Sequence, residues 1–329
     1  MWRRNNKTPK NERVAALGRN TLVFFNKTPM LKFRPITIEA VEELLPFAQR
    51  CITRSCDYTP GNLIMWARFM NYRYAIEKET LFISCKSQCD LQSEAFLPPI
   101  GDLSLKESIA LLQEHCTATG ITLRLTAVPQ EFVEELQEVL PHYLCEKLEE
   151  WSDYIYNIEK LATLQGKALN KKRNRYNKFI AEQSTYAYSR CTADDINEVA
   201  KFIAAHRECQ HNREDNMRCY EQWQCVATVR NLLKYEQPAG VLRVEGKIAA
   251  FTLGEVFGDT LFVHIEKADH TIAGASEAIN RLFVNDMLTE HPNLSFANRE
   301  EDLGDPGLRQ VKRAYNPLMM IHRYEMRAK

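Results

Sequence analysis

The stretch GVLRVEGKIAAFTLGEVFGDTLFVHIEKA, residues 240–268, decides the fold. It reads as three strands, Gly240–Glu245, Ile248–Glu255 and Thr260–Ala268. Glu245-Gly246-Lys247 is a turn, so the first two strands form a hairpin. In the third, period two places His264 and Glu266 on one face and Ile265 and Lys267 on the other. A polar pair on a central strand is costly unless it lines a cleft or finds partners. His264 with Glu266 suits general acid–base work or the grip of an ammonium group. A structural ion pair at the strand end is the plainer alternative.

Working outward, a helix from Gly274 to Thr289 follows, then a strand Leu294–Asn298, a helix Pro306–Ala314 and a final strand Leu318–Arg327. Upstream, Thr192 with Asp195 opens a helix through His206 in capping-box style, and a second helix covers Tyr220–Tyr235. The first half has a short strand Leu31–Pro35 and a helix capped by Thr37, with Ile38, Val41, Leu44, Leu45 and Ala48 on one face. An aromatic helix around Trp66 and Phe69, strands Tyr72–Ile76 and Leu81–Cys85, a helix Leu105–Thr119, a strand Ile121–Thr126 and a helix Pro129–Leu140 complete it. Between the halves lie a strand at Tyr154–Tyr156 and helical sequence through Ala181. Strands alternating with helices argue an α/β or α+β sheet. The similar order of elements in the two halves suggests a duplication.

A chain of 329 residues accommodates two domains of roughly 150 residues. With 45% apolar and 26% charged residues it has an ordinary globular composition. Net charge is zero, yet residues 1–29 hold seven Lys/Arg against one acid, leaving 36 basic and 42 acidic residues in the rest. This basic tail is expected to be a disordered extension, or the product of an upstream start codon with Met30 as the true beginning; a nucleic-acid or membrane arm is the alternative. Its apolar patch Leu22–Phe25 falls far short of the ~18–20 residues of a membrane span and lacks the pattern of a secretory signal. Ten cysteines without a CxxC pair behave as small buried apolar residues in a reducing compartment. A soluble, cytoplasmic protein is expected. Cys209, His211, Cys219 and Cys225 match no zinc spacing, so no metal site is assigned.

Three further segments carry candidate chemistry. Between Lys160 and Lys178 there are seven basic residues and no acid. On a helix, Lys171, Lys172, Arg173 and Arg175 cover its outside, and with Lys167 they make a field that attracts phosphate; a merely solvated face is the alternative. Asn298–Pro317 is a polar, glycine-containing loop leaving a strand and entering a short basic helix, the place where α/β proteins bind ligands. There Arg299, Arg309 and Lys312 suit phosphate or carboxylate, and Glu300, Glu301 and Asp302 suit an amine. Thr271-Ile-Ala-Gly-Ala-Ser276 enters a helix as an anion-binding turn does. It has Thr271 and Ser276 where acetyl-CoA-dependent GNAT-type enzymes have (Gln/Arg)-x-x-Gly-x-(Gly/Ala), so acetyl-CoA is the lesser candidate.

Taken together, these stretches resemble the phosphatidylglycerol lysyltransferase C-terminal domain family, in particular its stand-alone soluble members. The matching residues are Tyr154–Tyr156, Gly166-Lys167 with Lys171–Asn174, Gly246–Glu255, His264–Ala268, Gly274 with Ile279-Asn280, Asn298–Gly304, Gly307–Arg309 and Tyr315–Pro317. The resemblance implies two tandem GNAT-like domains, each a mixed, mostly antiparallel sheet flanked by helices. Their expected bounds are 30–150 and 186–329, with 151–185 a basic connecting segment. It also implies an aminoacyl transfer from aminoacyl-tRNA, needing no cofactor, to a small-molecule, peptide or lipid head-group acceptor. His264, Glu266 and Lys267 are the expected catalytic residues. Asn298, Arg299, Glu300, Asp302, Arg309 and Lys312 would hold the substrate, and Lys167, Lys171, Lys172, Arg173 and Arg175 the tRNA. An acetyl-CoA-dependent N-acyltransferase and a non-catalytic binding module are the competing readings.

Overall fold

The computed structural model describes residues 31–205, 217–231 and 234–329. The basic tail and the Cys209–His211 part of the cysteine–histidine group lie outside them. In chain order the first half contributes β1 (Arg34–Pro35), α1 (Val41–Arg50), α2 (Pro60–Met70), β2 (Arg73–Glu77), β3 (Thr80–Lys86), β4 (Glu94–Phe96), β5 (Ile100–Gly101), α3 (Leu105–Thr119), β6 (Arg124–Pro129) and α4 (Gln130–Val139). β7 (Tyr143–Asn157), α5 (Ile158–Thr163), α6 (Asn170–Glu182), β8 (Tyr186–Arg190), α7 (Ile196–Ala205) and α8 (Met217–Arg230) follow. The chain continues with β9 (Ala239–Val244), β10 (Lys247–Phe257), β11 (Thr260–Ala268), α9 (Ala275–Glu290), β12 (Phe296–Asn298), α10 (Pro306–Arg313) and β13 (Met319–Ala328).

All the described strands join one 13-stranded sheet in the order β1-β2-β3-β4-β6-β13-β7-β12-β11-β10-β9-β8, with β5 beside β3. Only the β4–β6 and β11–β12 pairs are parallel, so the sheet is mixed and mostly antiparallel, as expected. The final strand β13 returns to lie between β6 and β7. It thereby ties the two halves at the centre, and residue 150 falls inside β7. β7 begins at Tyr143 rather than near Tyr154. Its first part carries Glu146, Lys147, Glu149 and Glu150, a charged run without apolar alternation, and cross-strand pairing with β13 makes it a strand.

Local chemistry sets most helix ends. Ser104 and Glu107 cap α3 reciprocally, and Thr192 N–H donates to Asp195 ahead of α7. Thr37, expected as a cap, makes no side-chain capping bond to the helix backbone, and the chain takes a 3₁₀ turn over Ile38–Ala40 before α1. Helices α1, α2, α7 and α8 cover one face of the sheet, burying Leu44, Trp66, Val199 and Val229 against Tyr74, Phe251 and Ile265. On the other face, α5, α6 and α9 pack on Val263, Leu242 and Ala250, and α3 and α4 on Phe82 and Leu125. Burying these side chains removes enough apolar surface to favour the fold at roughly 25 cal/mol per Å².

Candidate active site

The site forms where β11, β12 and the loop after β12 meet. β11 pairs with β10 as Leu253↔Ile265 and then Gly254↔Val263, which leaves His264 as the extra residue of a β-bulge. A bulge bends the strand and re-aims its side chains. His264 and Ile265 both turn toward the α2–α8 face, whereas Glu266 turns toward α9. Their contacts record this: Ile265 packs with Trp66 and Phe251, Lys267 pairs with Glu221 of α8 at 3.0 Å, and Glu266 accepts from Asn280 of α9 at 2.9 Å. The expected single face for His264 and Glu266 is therefore corrected. The bulge interrupts the period-two rule between them.

On the first face, the His264 ring lies between two carboxylates, Nε2 2.6 Å from Glu255 and Nδ1 2.7 Å from Glu300. Burial pulls the imidazole's pKa down, but the two carboxylates outweigh it and push it up to about 10. At neutral pH the ring is an imidazolium that donates from both nitrogens. The Tyr235 hydroxyl donates to the second oxygen of Glu255. Gly61 makes room for this arrangement, because a Cβ there would overlap Glu255 Oε1 and Gln237 Nε2.

On the second face, Arg299 pairs with Glu266 at 2.8 Å and lies over the Tyr315 ring at 4.4 Å. Lys172 lies 4.1 Å from the centre of the same ring and 3.1 Å from Glu277. Burial lowers the Lys172 pKa against the pull of Glu277. Burial also favours the neutral form of the Tyr315 phenol, which is raised accordingly. Asn280 Oδ1 is buried without a hydrogen-bond partner among the described residues, and the buried Arg299 guanidinium and Tyr315 hydroxyl interact with one another. Buried polar atoms are normally satisfied, so such a group calls for an explanation.

The loop after β12 joins the two faces. Asn298 Oδ1 accepts from Glu300 N–H at 2.7 Å, and Glu300 and Leu303 adopt φ of 58° and 48°. Non-glycine residues in this left-handed region are strained and cluster at functional sites. Lys312 is buried. Its Nζ donates to the backbone carbonyls of Arg299, at 2.6 Å, and of Glu301. Burial holds its pKa below the usual lysine range. Beneath the loop, Arg323 is buried among Asp57 at 2.8 Å, Asp153 and Cys56, whose sulfur is 3.0 Å away. Burial pushes Glu301 up to about 8 although Arg323 opposes it. Cys56, Asp153 and Glu301 bring ligand atoms within 4.8 Å of one another, but the Arg323 guanidinium already supplies the cation among them.

The structure thus gathers Glu266, Arg299, Glu300, Lys312, His264 and Asn298. Asn298 donates to Asp153 at 2.9 Å. Arg309 forks onto Asp302 with two bonds of 2.8 Å, and Tyr154 donates to Asp302 at 2.6 Å, at the edge of the cluster. Lys267 stands apart with α8. Of the basic helix, Lys167, Lys171 and Arg175 are exposed and Arg173 half-buried, but Lys172 faces inward, correcting its expected place on the outside. Sequence reading gives no role to Glu255, Glu277, Tyr315, Asp153 or Arg323. A charged residue on the apolar face of a helix is the signal that marks Glu277. The turn at Gly274 is closed, because a Cβ there would collide with the backbone carbonyl of Arg175 in α6. The first-turn acid Glu277 also already meets the positive end of α9.

A mixed, mostly antiparallel sheet with helices on both faces thus carries a buried charged centre. The family described as "Phosphatidylglycerol lysyltransferase, C-terminal" matches residues 49–327, and the chain belongs to that family. A conserved protein of unknown function from Bacteroides thetaiotaomicron has 28% identity and a TM-score of 0.82, over 91% of this chain and 100% of that chain. The structure of L-PGS from Bacillus licheniformis shares the fold at 16% identity and a TM-score of 0.61, covering 88% of this chain and 91% of that one. An uncharacterised protein of Mycoplasmoides gallisepticum is 26% identical over 198 residues, which span 58% of this chain and 61% of that relative. Among the described residues no helix is long and apolar enough to cross a membrane.

Proposed function

We propose that this chain is an aminoacyltransferase, moving an aminoacyl group from aminoacyl-tRNA to a hydroxyl or amine acceptor. The observation that carries this reading is the cluster of buried polar groups, Asn280 Oδ1, the Arg299 guanidinium and the Tyr315 hydroxyl, gathered beside Glu266. Their polarities complement an aminoacyl group. Glu266 and Asn280 Oδ1 accept from an ammonium, Arg299 Nη1 donates to a carbonyl oxygen, and the Tyr315 hydroxyl does either. Membership of a lysyltransferase family supports the same substrate class.

In the transfer, the acceptor's oxygen or nitrogen forms a bond to the ester carbonyl carbon. The carbon–oxygen bond to the tRNA ribose then breaks, and the proton lost by the acceptor ends on that ribose oxygen. Arg299 steadies the developing oxyanion, Glu266 fixes the ammonium and so the carbonyl, and the neutral Tyr315 hydroxyl relays the proton. His264, clamped at both nitrogens, is a fixed positive mount for Glu300 rather than a mobile base. The exposed Lys167, Lys171 and Arg175 of the α6 region, with the half-buried Arg173, attract the tRNA backbone.

The test is filter binding of a bulk pool of charged tRNA across a salt series, with release of labelled amino acid followed in parallel. The reading expects retention at low salt, steep loss as salt rises, and release faster than spontaneous hydrolysis. Absence of salt-sensitive tRNA binding overturns it.

A further inference from the structure

A cavity of about 290 Å³ lies between the loop after α1 and the turn joining β10 to β11. Its walls are largely apolar, formed by Ala48, Tyr58, Phe257 and Phe262. Ile52, which also lines it, is 80% exposed, an unusual position for a large aliphatic side chain. The polar edge is the Arg54–Asp259 ion pair, which joins the two halves of the chain through bonds of 3.2 and 2.8 Å.

The hydrogen bonds already made at this edge leave two donors unused. Asp259 already accepts twice from Arg54 and once from Thr260, at 2.9 Å. Thr53 Oγ1 accepts from Ser55 N–H at 3.2 Å, and its own proton goes to no described residue. Arg54 uses Nε and Nη2 on Asp259, and its Nη1 makes no hydrogen bond among the described residues. Two donors are left here, the Thr53 hydroxyl and Arg54 Nη1 on a guanidinium, beside an apolar chamber. Ligand pockets of this size, at the lower end of roughly 300–1,000 Å³, take small molecules by apolar walls and a few placed polar groups.

We propose that this cavity is a binding site for a small amphiphilic carboxylate, with its aryl or short alkyl body between Phe257, Phe262 and Ile52 and its anionic end on Arg54 Nη1 and Thr53. A carboxylate on a guanidinium makes a charge-assisted bond that a neutral oxygen cannot match. The site shares no residue with the Glu266–Arg299 pair and does not rest on the transferase reading.

The probe is 4-phenylbutyrate, titrated calorimetrically into the whole protein, with 4-phenyl-1-butanol as the neutral counterpart of the same body. The site predicts saturable binding of the carboxylate and about tenfold or weaker binding of the alcohol, the loss expected when one charged contact is removed. Ile52→Asp places a negative charge at the cavity on an exposed side chain, so the fold is retained. This variant should weaken the carboxylate by about the same factor. No saturable binding, equal affinity for the alcohol, or an unchanged Ile52→Asp affinity overturns the proposal.

Discussion

His264 and Glu266 stand two residues apart on β11 yet serve opposite faces of the sheet, because His264 is the extra residue of a bulge opposite Leu253 and Gly254. Consecutive residues of the next loop follow them: Glu300 reaches His264 at 2.7 Å and Arg299 reaches Glu266 at 2.8 Å. One bulge therefore delivers a charged group to each side of a central strand, where a regular strand would send both to one side.

The imidazolium of His264 makes the fold sensitive to alkali. Its folded pKa, about 10, lies above the ordinary 6.5. The stability it contributes is fully present below about 6.5 and is lost as pH rises through about 10. His264→Gln should cost about 3–5 kcal/mol at pH 7, the usual penalty for stripping a buried carboxylate of its cation, and should flatten the decline between pH 7 and 10. Urea unfolding at several pH values checks both. An unchanged slope would contradict the paired imidazolium.

Glu301 acts in the same direction from a different cause. Burial raises it from 4.5 to about 8, so its contribution is complete below about 4.5 and fades as pH climbs through about 8. Glu301→Gln imitates the neutral acid and should remove that loss, leaving the variant at least as stable as the parent at pH 9. Thermal unfolding at pH 5 and 9 distinguishes this from a Glu301 that is charged and needed by Arg323, for which the variant would be weaker at both.

Two adjacent lysines of α6 should behave differently. Lys172 is buried against Glu277 and Tyr315, so Lys172→Met should destabilise by about 3 kcal/mol, because the buried Glu277 keeps only its longer 3.4 Å contact with Arg175. Lys171 is exposed. Lys171→Ala should leave stability within about 0.5 kcal/mol and reduce the slope of log affinity for tRNA against log salt by about 1. Melting curves and salt-dependent filter binding separate the two.

At Gly61, close approach decides the outcome. Gly61→Ala forces a Cβ onto Glu255 and Gln237, and overpacking of this kind costs about 1–3 kcal/mol. A neutral result by chemical unfolding would mean that Glu255 has room to move and that the His264 clamp is loose.

Much of this was legible in the chain itself. The Gly246 hairpin, the span of α3 and the span of β11 follow from local turn signals and periodicity, which a sequence carries openly. The early part of β7 does not, since its charged run becomes a strand only by pairing with β13, more than 150 residues away. The site divides similarly. Arg299, Glu300, Lys312 and Glu266 lie in polar stretches that attract notice. Glu277 lies on the apolar face of its helix while Tyr315 and Arg323 sit in short polar runs, and the meaning of all three comes from what the topology sets beside them. Period two misplaced Glu266 relative to His264 because a bulge depends on a register with β10 that no local pattern encodes.

The most direct measurement is the affinity of a stable aminoacyl-adenosine analogue, with the ester replaced by an amide, against the same compound lacking the α-amine. If Glu266 and Asn280 hold the ammonium while Arg299 holds the carbonyl, the amine-bearing analogue should bind about tenfold or more tightly in the parent. The preference should vanish in Glu266→Gln. Equal affinity of the two analogues in the parent, or a preference that survives Glu266→Gln, would contradict the account.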